Sequence, residues 1–465
     1  MWHITKRELY DNLNSLRFAL TTVLLLALMV TNAVRYIREH PKRVQKYRDA
    51  VAESMNRLTA HADASLYTLA QQGPGTLYKQ PSPLHFCAEG GETFLPDRVD
   101  SSYYTERFWR LRYPDVNINM MNVGPDVSQV DWTFIIGYIL SLVALIFTFD
   151  AISGEREHGT LRLMLANSIP RRTVLIGKFL GALISTTIPF MLAVLVNLLI
   201  LSTASAVHLN IQAWGRLGII FCIALLYTCL FLALGLLVSA RVQQSAVSLL
   251  ILLLTWVTFV VFMPSTLASL ASGFSSSMSR DEYDERYGQS DAELRRTWQR
   301  SWYWADKSEL DERTLTKIGE WHTKTAVSEE RLNAGYVTFK INQVQRARAI
   351  TSISPAVLLQ HLLESFAGTG LDRHQQFIEN VQRYAREYRE FVVDMDRSDP
   401  ESLHIMGVRE GMSQKPINPE AVPKFEDTRN LSKDFNTAAT ELLLLTLFVV
   451  VLLAGAYLAF VRVEI

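Results

Sequence analysis

This sequence of 465 residues has very little cysteine and lacks the short motifs of several enzyme classes. Its three cysteines, Cys87, Cys222 and Cys229, are too few and too scattered for a disulfide framework or a zinc site. The ten histidines do not fall at metal-ligand spacing, and neither H-E-x-x-H nor the phosphate loop G-x-x-x-x-G-K-[S/T] occurs. We therefore expect the chain to hold no metal and to bind no ATP by itself.

An excess of charge of one sign is also missing, because 46 basic residues balance 46 acidic ones. There is no basic domain and no arginine-rich arm, so the sequence predicts no nucleic-acid partner. Cys222 and Cys229 lie in apolar runs, where cysteine behaves as a small hydrophobe. Cys87 lies in a polar block and is either a packed or a free thiol.

Long apolar runs dominate what is present. About 20 apolar residues cross the hydrocarbon of a bilayer, and the 49% of hydrophobic residues are concentrated in runs of that length. We predict an all-α integral membrane protein with six transmembrane helices. The predicted spans are residues 17–36, 132–149, 172–203, 214–240, 244–264 and 438–461.

The first apolar run has an alternative interpretation as a signal peptide, with Thr31-Asn32-Ala33 as a weak cleavage site. Its charged leader is long and contains acids, which favours an uncleaved span. Residues 1–16 carry apolar side chains at helical spacing and predict an N-terminal interfacial helix. Residues 37–131 and 265–437 are polar, and we predict two helical insertions that form an outer domain.

The orientation follows from the basic residues beside the short loops. Lys and Arg flank the first span, occur between the second and third and between the fourth and fifth spans, and follow the sixth. The short loop 203–213 has none. The positive-inside rule therefore predicts cytoplasmic termini, a cytoplasmic segment 150–171 and two extracytoplasmic insertions.

The segment between the second and third spans is short and charged. Asp150, Glu155 and Glu157 stand where a helix begins, and the helix dipole favours acids there. Leu161 and Leu163 belong to an apolar patch too short to cross a bilayer. From these residues alone, the segment either docks on its own spans or presents a polar side to a protein partner.

The order of residues in this segment resembles the coupling segment of ATP-binding-cassette (ABC) export permeases. Asp150, Glu155, Gly159, Thr160 and Leu161 match the pattern Asp-x-Ile-x-x-Glu-x-x-x-Gly-Thr-Leu-x-x-Leu. As in that family, a Gly-Lys pair follows at the entry of the next span. The residues that match this pair are Gly177 and Lys178.

The resemblance implies that residues 150–171 touch a separate cytoplasmic ATPase subunit and transmit its closure to the spans. It also implies that ATP and magnesium are bound by that subunit. A second permease copy or a paralogue would complete the membrane part as a homodimer or heterodimer.

The second polar block resembles the subgroup of these permeases that carries large outer insertions. Ile353-Ser354-Pro355-Ala356-Val357 predicts a helix that Ser354 caps, with Pro355 in its first position. Asp372 is a candidate start for the next helix. That helix would carry Phe377, Val381, Tyr384 and Tyr388.

Three further features have a functional and a structural interpretation. Asn197 is a candidate to line a pathway through the third span, or to pack that helix. Glu441, at the edge of the sixth span, is a candidate to hold a cation, or to cap the helix. The aromatic residues between Asp281 and His322 suit a ligand surface or a helical core.

The sequence thus predicts the permease subunit of an ABC exporter in the inner membrane, in contact with lipid. One alternative is a mechanical transmitter that moves no cargo and acts on a periplasmic or envelope partner through the outer domain. Another is a membrane enzyme with its site in that domain.

Overall fold

The structure is a computed structural model that describes residues 2–90, 95–102, 109–113, 130–161, 170–203, 209–274 and 310–462, with single positions between 282 and 296. The described chain has two joined parts, a bundle of apolar helices and a polar domain. The helices are α1 (Trp2–Leu13), α2 (Leu16–Ala64), α3 (Leu66–Gln72), α4 (Trp132–Ile146), α5 (Ser153–Glu157), α6 (Arg171–Ser202), α7 (Ile211–Arg241), α8 (Ser245–Trp256, then Val257–Phe262 as a π-helix and Met263–Phe274), α9 (Glu312–Thr351), α10 (Pro355–Ala367), α11 (Leu371–Arg397) and α12 (Leu431–Val461).

The prediction of an all-α membrane protein is confirmed. Among the described residues, five helices are long and apolar enough to cross a membrane: α2, α6, α7, α8 and α12. The helix in the predicted span 132–149 is shorter, because it ends at Ile146, and it is π-helical between Ile135 and Leu140. The second predicted span, residues 132–149, therefore remains a prediction.

We expected a separate insertion to begin at residue 37, after the first span. The structure shows no break there. Helix α2 continues for 49 residues, from the Ser15 cap to Ala64, with Pro41 inside it. At 1.5 Å per residue its length is roughly 74 Å, more than twice the thickness of the hydrocarbon. No turn residue interrupts the polar half before Ser65, which ends α2 and caps α3. The end of an apolar run is therefore not the end of this helix.

The first insertion contains a small sheet beside its helices. Three short antiparallel strands, β1 (Leu77–Tyr78), β2 (Arg98–Ser102) and β3 (Arg110–Arg112), form a sheet in the order β1-β2-β3. Gly73 ends α3 with a φ of 70°, and a Cβ there would lie 2.5 Å from the Trp109 ring. Helix and sheet share one apolar core, which includes Val99, Trp109, Leu111, Phe377 and Tyr388.

Helix α10 was expected in the outer domain but lies in the core of the bundle, against α7 and α12. All thirteen of its residues are buried. Pro355 takes the predicted first position, but the Ser354 hydroxyl does not cap the helix and donates instead to the carbonyl of Phe259, 3.2 Å away. That carbonyl belongs to the π-helix of α8, where the usual helical bonding is altered. A mostly apolar helix is most stable where its whole surface leaves water.

The α11 helix begins after Gly370, so Asp372 lies in its first turn rather than at its cap. Its apolar side is buried in the core of the polar domain. The residues concerned are Phe377, Val381, Tyr384 and Tyr388. The aromatic stretch from Asp281 lies mostly outside the described residues.

Candidate functional site

The site is the segment that leaves α4, includes α5 and returns to α6. A chain of turns follows Ile146, and α5 begins where the hydroxyl of Ser239 on α7 accepts hydrogen bonds from the backbone N–H groups of Ile152 (2.9 Å) and Ser153 (3.0 Å). These bonds fix the start of the segment to α7, since they satisfy N–H groups that a helix start leaves free. Leu163 and the residues up to 169 lie outside the described residues.

A buried lysine connects this segment with the first helix. The Lys178 ammonium on α6 lies 2.7 Å from Glu155 Oε1 and 2.6 Å from Glu8 Oε1 on α1. The Lys178 side chain is 2% exposed, whereas the two carboxylate side chains are about a quarter exposed (25% and 27%). An ammonium buried so deeply is tolerated because both partners hydrogen-bond to it. We refer to Glu8, Lys178 and Glu155 as the lysine bridge.

The polar face of α1 docks on α6 at three successive positions. Thr5 donates to the carbonyl of Gly177 (3.2 Å), Glu8 pairs with Lys178, and Asn12 donates to Ser185 (3.1 Å). The approach is close because α6 has glycine at position 181, where a Cβ would lie 2.8 Å from that of Glu8. Trp2 and Tyr10 on α1 are exposed (66% and 69%), as suits a helix at a membrane surface, whereas Ile4 is partly buried.

Two acids attach the segment to further helices. Asp150 pairs with Arg17 at the start of α2 (2.8 Å), and that guanidinium also lies 4.8 Å from the centre of the Phe149 ring. Glu157 accepts hydrogen bonds from the backbone N–H (3.2 Å) and the hydroxyl (2.9 Å) of Ser245, the first residue of α8. Both bonds lower the pKa of Glu157, and the bond from the backbone N–H has the larger effect.

Leu161 anchors the far side of the segment. It is buried in an apolar cluster with Val174 of α6, Leu236 of α7 and Phe460 of α12. The cluster extends to Ile152 at the start of α5. Between residues 150 and 161, the segment therefore contacts α2, α6, α7, α8 and α12 directly, and α1 through Lys178.

The tip of the segment is exposed. His158, Gly159 and Thr160 follow the bonded Glu157 and lie on the surface. Gly159 has a φ of +74°, and no atom lies within 4 Å of where its Cβ would stand. The backbone conformation, rather than crowding, favours glycine there. Thr160 donates to the carbonyl of Glu155 (3.2 Å), which closes the turn.

The other two predicted site residues lie away from this segment. Asn197 is buried and donates to the carbonyl of Met29 (2.7 Å) and to Asn32 Oδ1 (3.0 Å), contacts that join α6 to α2. Glu441 on α12 lies 3.0 Å from Nδ1 of His361, on the buried helix α10. A role of either residue in a pathway remains a prediction.

The sequence reasoning did not identify Glu8, Arg17, Ser239, Ser245 or His361. One signal was available for Glu8, because Thr5, Glu8 and Asn12 stand at i, i+3 and i+7 and so share one face of a helix. The prediction of an interfacial helix rests only on its apolar residues. The partners of the others are distant in sequence, and no local pattern reveals them.

Together these observations define a multi-pass α-helical membrane protein with a short polar segment that joins most of its bundle helices at one end. The chain belongs to the ABC-2 family transporter proteins, whose sequence profile matches residues 2–465.

Part of the chain is also similar to two probable ABC transporter permease proteins NosY. It is 37% identical over 114 residues to that of Pseudomonas aeruginosa and 30% identical over 138 residues to that of Stutzerimonas stutzeri. The alignments cover 23% and 29% of this chain, and 40% and 48% of the relatives. The chain thus spans less than half the length of these relatives.

Proposed function

We propose that this chain is the permease subunit of an ATP-driven exporter and that residues 150–161 receive the movement of a separate ATPase subunit. The lysine bridge is the observation that carries the proposal. It joins the segment to α6 and α1 through one buried ammonium, so a displacement of Glu155 acts on both helices. ATP and magnesium belong to the partner subunit, and this chain is not itself the hydrolase.

The exposed tip supports a protein contact on the side away from the bundle. His158, Gly159 and Thr160 are exposed, while residues on both sides of them are bonded to the bundle. Several bonds join the segment to the helices of the bundle, so the helices should move together when the segment moves. Such a bundle is suited to two discrete arrangements, and a partner can favour one of them. We place the tip and both termini in the cytoplasm, in agreement with the basic residues beside the short loops. A second copy or a paralogue would complete the transporter.

The test is a bulky charged substitution at the tip. Thr160→Arg should abolish stimulation of the co-purified ATPase by the permease and weaken its capture, while insertion into the membrane stays normal. Thr437→Arg, at an exposed position at the opposite end of the bundle, is the matched control and should change neither. ATPase binding and stimulation equal to wild type in Thr160→Arg would exclude a partner at the tip.

A second function, mechanical transmission to an extracytoplasmic partner without cargo, is favoured by one observation. Helix α2 runs without interruption from the bundle into the polar domain, so motion at one end reaches the other through hydrogen-bonded backbone. The two functions differ in flux. ATP-dependent accumulation of a cargo in sealed vesicles would establish export, whereas ATP-dependent change in the polar domain without any flux would establish transmission.

A further inference from the structure

We propose that a set of buried ion pairs at the junction of the bundle with the polar domain transmits movement of α7 and α12 to α11. We call Arg216, Asp434, Gln376, Arg373 and Asp427 the junction network. The inference rests on the proposed function, because it assigns the route by which movement of the spans reaches the polar domain. It concerns residues far from residues 150–161, which we call the coupling segment after their proposed role.

The first part of the network joins three helices through one carboxylate. Arg216 of α7 pairs with Asp434 Oδ2 of α12 at 2.6 Å, and both side chains are under 8% exposed (7% and 6%). Gln376 of α11 donates to the other oxygen of Asp434, also at 2.6 Å. Arg216 donates in addition to the carbonyl of Phe366, near the end of α10 (3.2 Å).

The second part attaches α11 to the segment that leads into α12. Arg373 forms a two-pronged pair with Asp427, with 3.0 Å between Nη1 and Oδ1, and both side chains are almost fully buried (3% and 1%). Asp427 also accepts from the backbone N–H of Gln80 (2.8 Å) and from Asn380 Nδ2 (3.2 Å). One carboxylate thus holds three parts of the polar domain.

Stability alone does not account for such a choice of residues. A buried ion pair is often no more stabilising than well-packed apolar residues of the same volume, because two charges lose their hydration. An ion pair differs from an apolar contact in its directionality, which fixes the distance and angle between the helices that carry it. Directional bonds suit a joint that must move as one body.

The arrangement also explains where the motion would go. Helix α11 is the largest contributor to the core of the polar domain, through residues such as Phe377 and Tyr388. α7 and α12 pack along each other in the bundle, and both enter the cluster around Leu161 at the coupling segment. A shift at the coupling segment thus reaches α11 through two helices and one carboxylate.

The experiment compares hydrogen–deuterium exchange of the full chain with its ATPase, without nucleotide and with a trapped ATP analogue. In wild type we expect exchange to change in both the coupling segment and α11. Asp434→Asn removes the charge at constant volume and should abolish the change in α11 alone. Lys433, the residue before Asp434, forms an exposed pair with Glu379 at 2.7 Å. The control variant Lys433→Gln should leave both changes in exchange intact.

A double variant, Arg216→Met with Asp434→Leu, guards against misfolding caused by a single unpaired charge. It should also lose the response of α11 while it keeps that of the coupling segment. A normal α11 response in either folded variant would overturn the inference. Absence of any change at the coupling segment in wild type would instead overturn the proposed function on which it rests.

Discussion

The two ends of the bundle both hold buried ion pairs, but they do so differently. In the lysine bridge one ammonium serves two carboxylates that are each about a quarter exposed, and within the described part of the chain the second oxygen of Glu155 is buried without a hydrogen-bond partner. In the junction network each carboxylate has its own guanidinium, and both members are buried.

The difference in bonding indicates a difference in purpose. A carboxylate that keeps an unused acceptor and partial contact with water can exchange partners at small cost, whereas a fully paired and buried one cannot. We infer that the end of the bundle with the lysine bridge, the coupling end, can be displaced. The junction network instead moves as one body with the helices that it joins. Three predictions test this contrast, from the largest expected effect to the smallest.

Arg373→Ala should have the largest effect on stability. It leaves the carboxylate of Asp427 buried without its cation, and breaking a buried pair in this way costs about 3–5 kcal/mol of unfolding free energy. Thermal unfolding in detergent would measure the loss. The exposed pair of Lys433 provides the control Lys433→Ala, with an expected loss under about 1 kcal/mol. Equal losses in the two variants would remove the distinction between junction and surface.

Lys178→Met should destabilise the protein less than Arg373→Ala. Glu8 and Glu155 are partly exposed and can turn toward water, so we expect a loss of about 1–3 kcal/mol. Stimulation of the partner ATPase should be lost nonetheless, because Glu155 is then no longer joined to α6 and α1.

Arg7→Met serves as the comparison for Lys178→Met, since Arg7 is an exposed cation on α1. It should change neither stability nor stimulation. If Lys178→Met lowers stability as much as Arg373→Ala does, the coupling end is as rigid as the junction and our contrast fails.

His374→Gln should have the smallest effect at neutral pH, and its effect becomes visible only as the pH falls. Burial, followed by repulsion from Lys79 and Arg373, lowers the pKa of His374 to about 3. The folded state then binds fewer protons than the unfolded state between about pH 6.5 and pH 3. The contribution of the neutral His374 to the free energy of unfolding is fully present above pH 6.5. It is lost as the pH falls from 6.5 to 3, by at most about 1.4 kcal/mol per pH unit.

Unfolding midpoints at pH 7 and at pH 4.5 would show the effect, with a smaller decrease in His374→Gln than in wild type. His3 lies on the exposed surface of α1, and the unfolding midpoint of His3→Gln should decrease as much as that of wild type. An unchanged pH dependence in His374→Gln would show that this buried imidazole does not couple the junction to pH.

Several elements were predictable because they depend on local patterns. The apolar runs identified α6, α7, α8 and α12, and the order of acids, Gly159 and Leu161 in the coupling segment led to the family that the sequence profile confirms. The position of Pro355 at the start of α10 was predictable from turn chemistry. The helix expected to carry Phe377 and Tyr388 is present as α11.

Other elements were not predictable from local patterns. Helix α10 lies between polar segments, so its sequence position suggested the outer domain, yet burial of its apolar surface takes it into the bundle. The β-strands are only two to five residues long, too short for an alternating pattern to stand out. The end of α2 was missed because the boundary between apolar and polar residues is not a boundary of helix formation.

By itself, the sequence determined which segments avoid water, where turns form and to which family the chain belongs, because each depends on residues close together along the chain. Only the tertiary structure decided that Lys178 pairs with Glu8, 170 positions away, and that Arg216 pairs with Asp434, 218 positions away. An ion pair forms between charged side chains that packing brings to a nitrogen–oxygen distance of about 3 Å, and local sequence carries no record of that proximity.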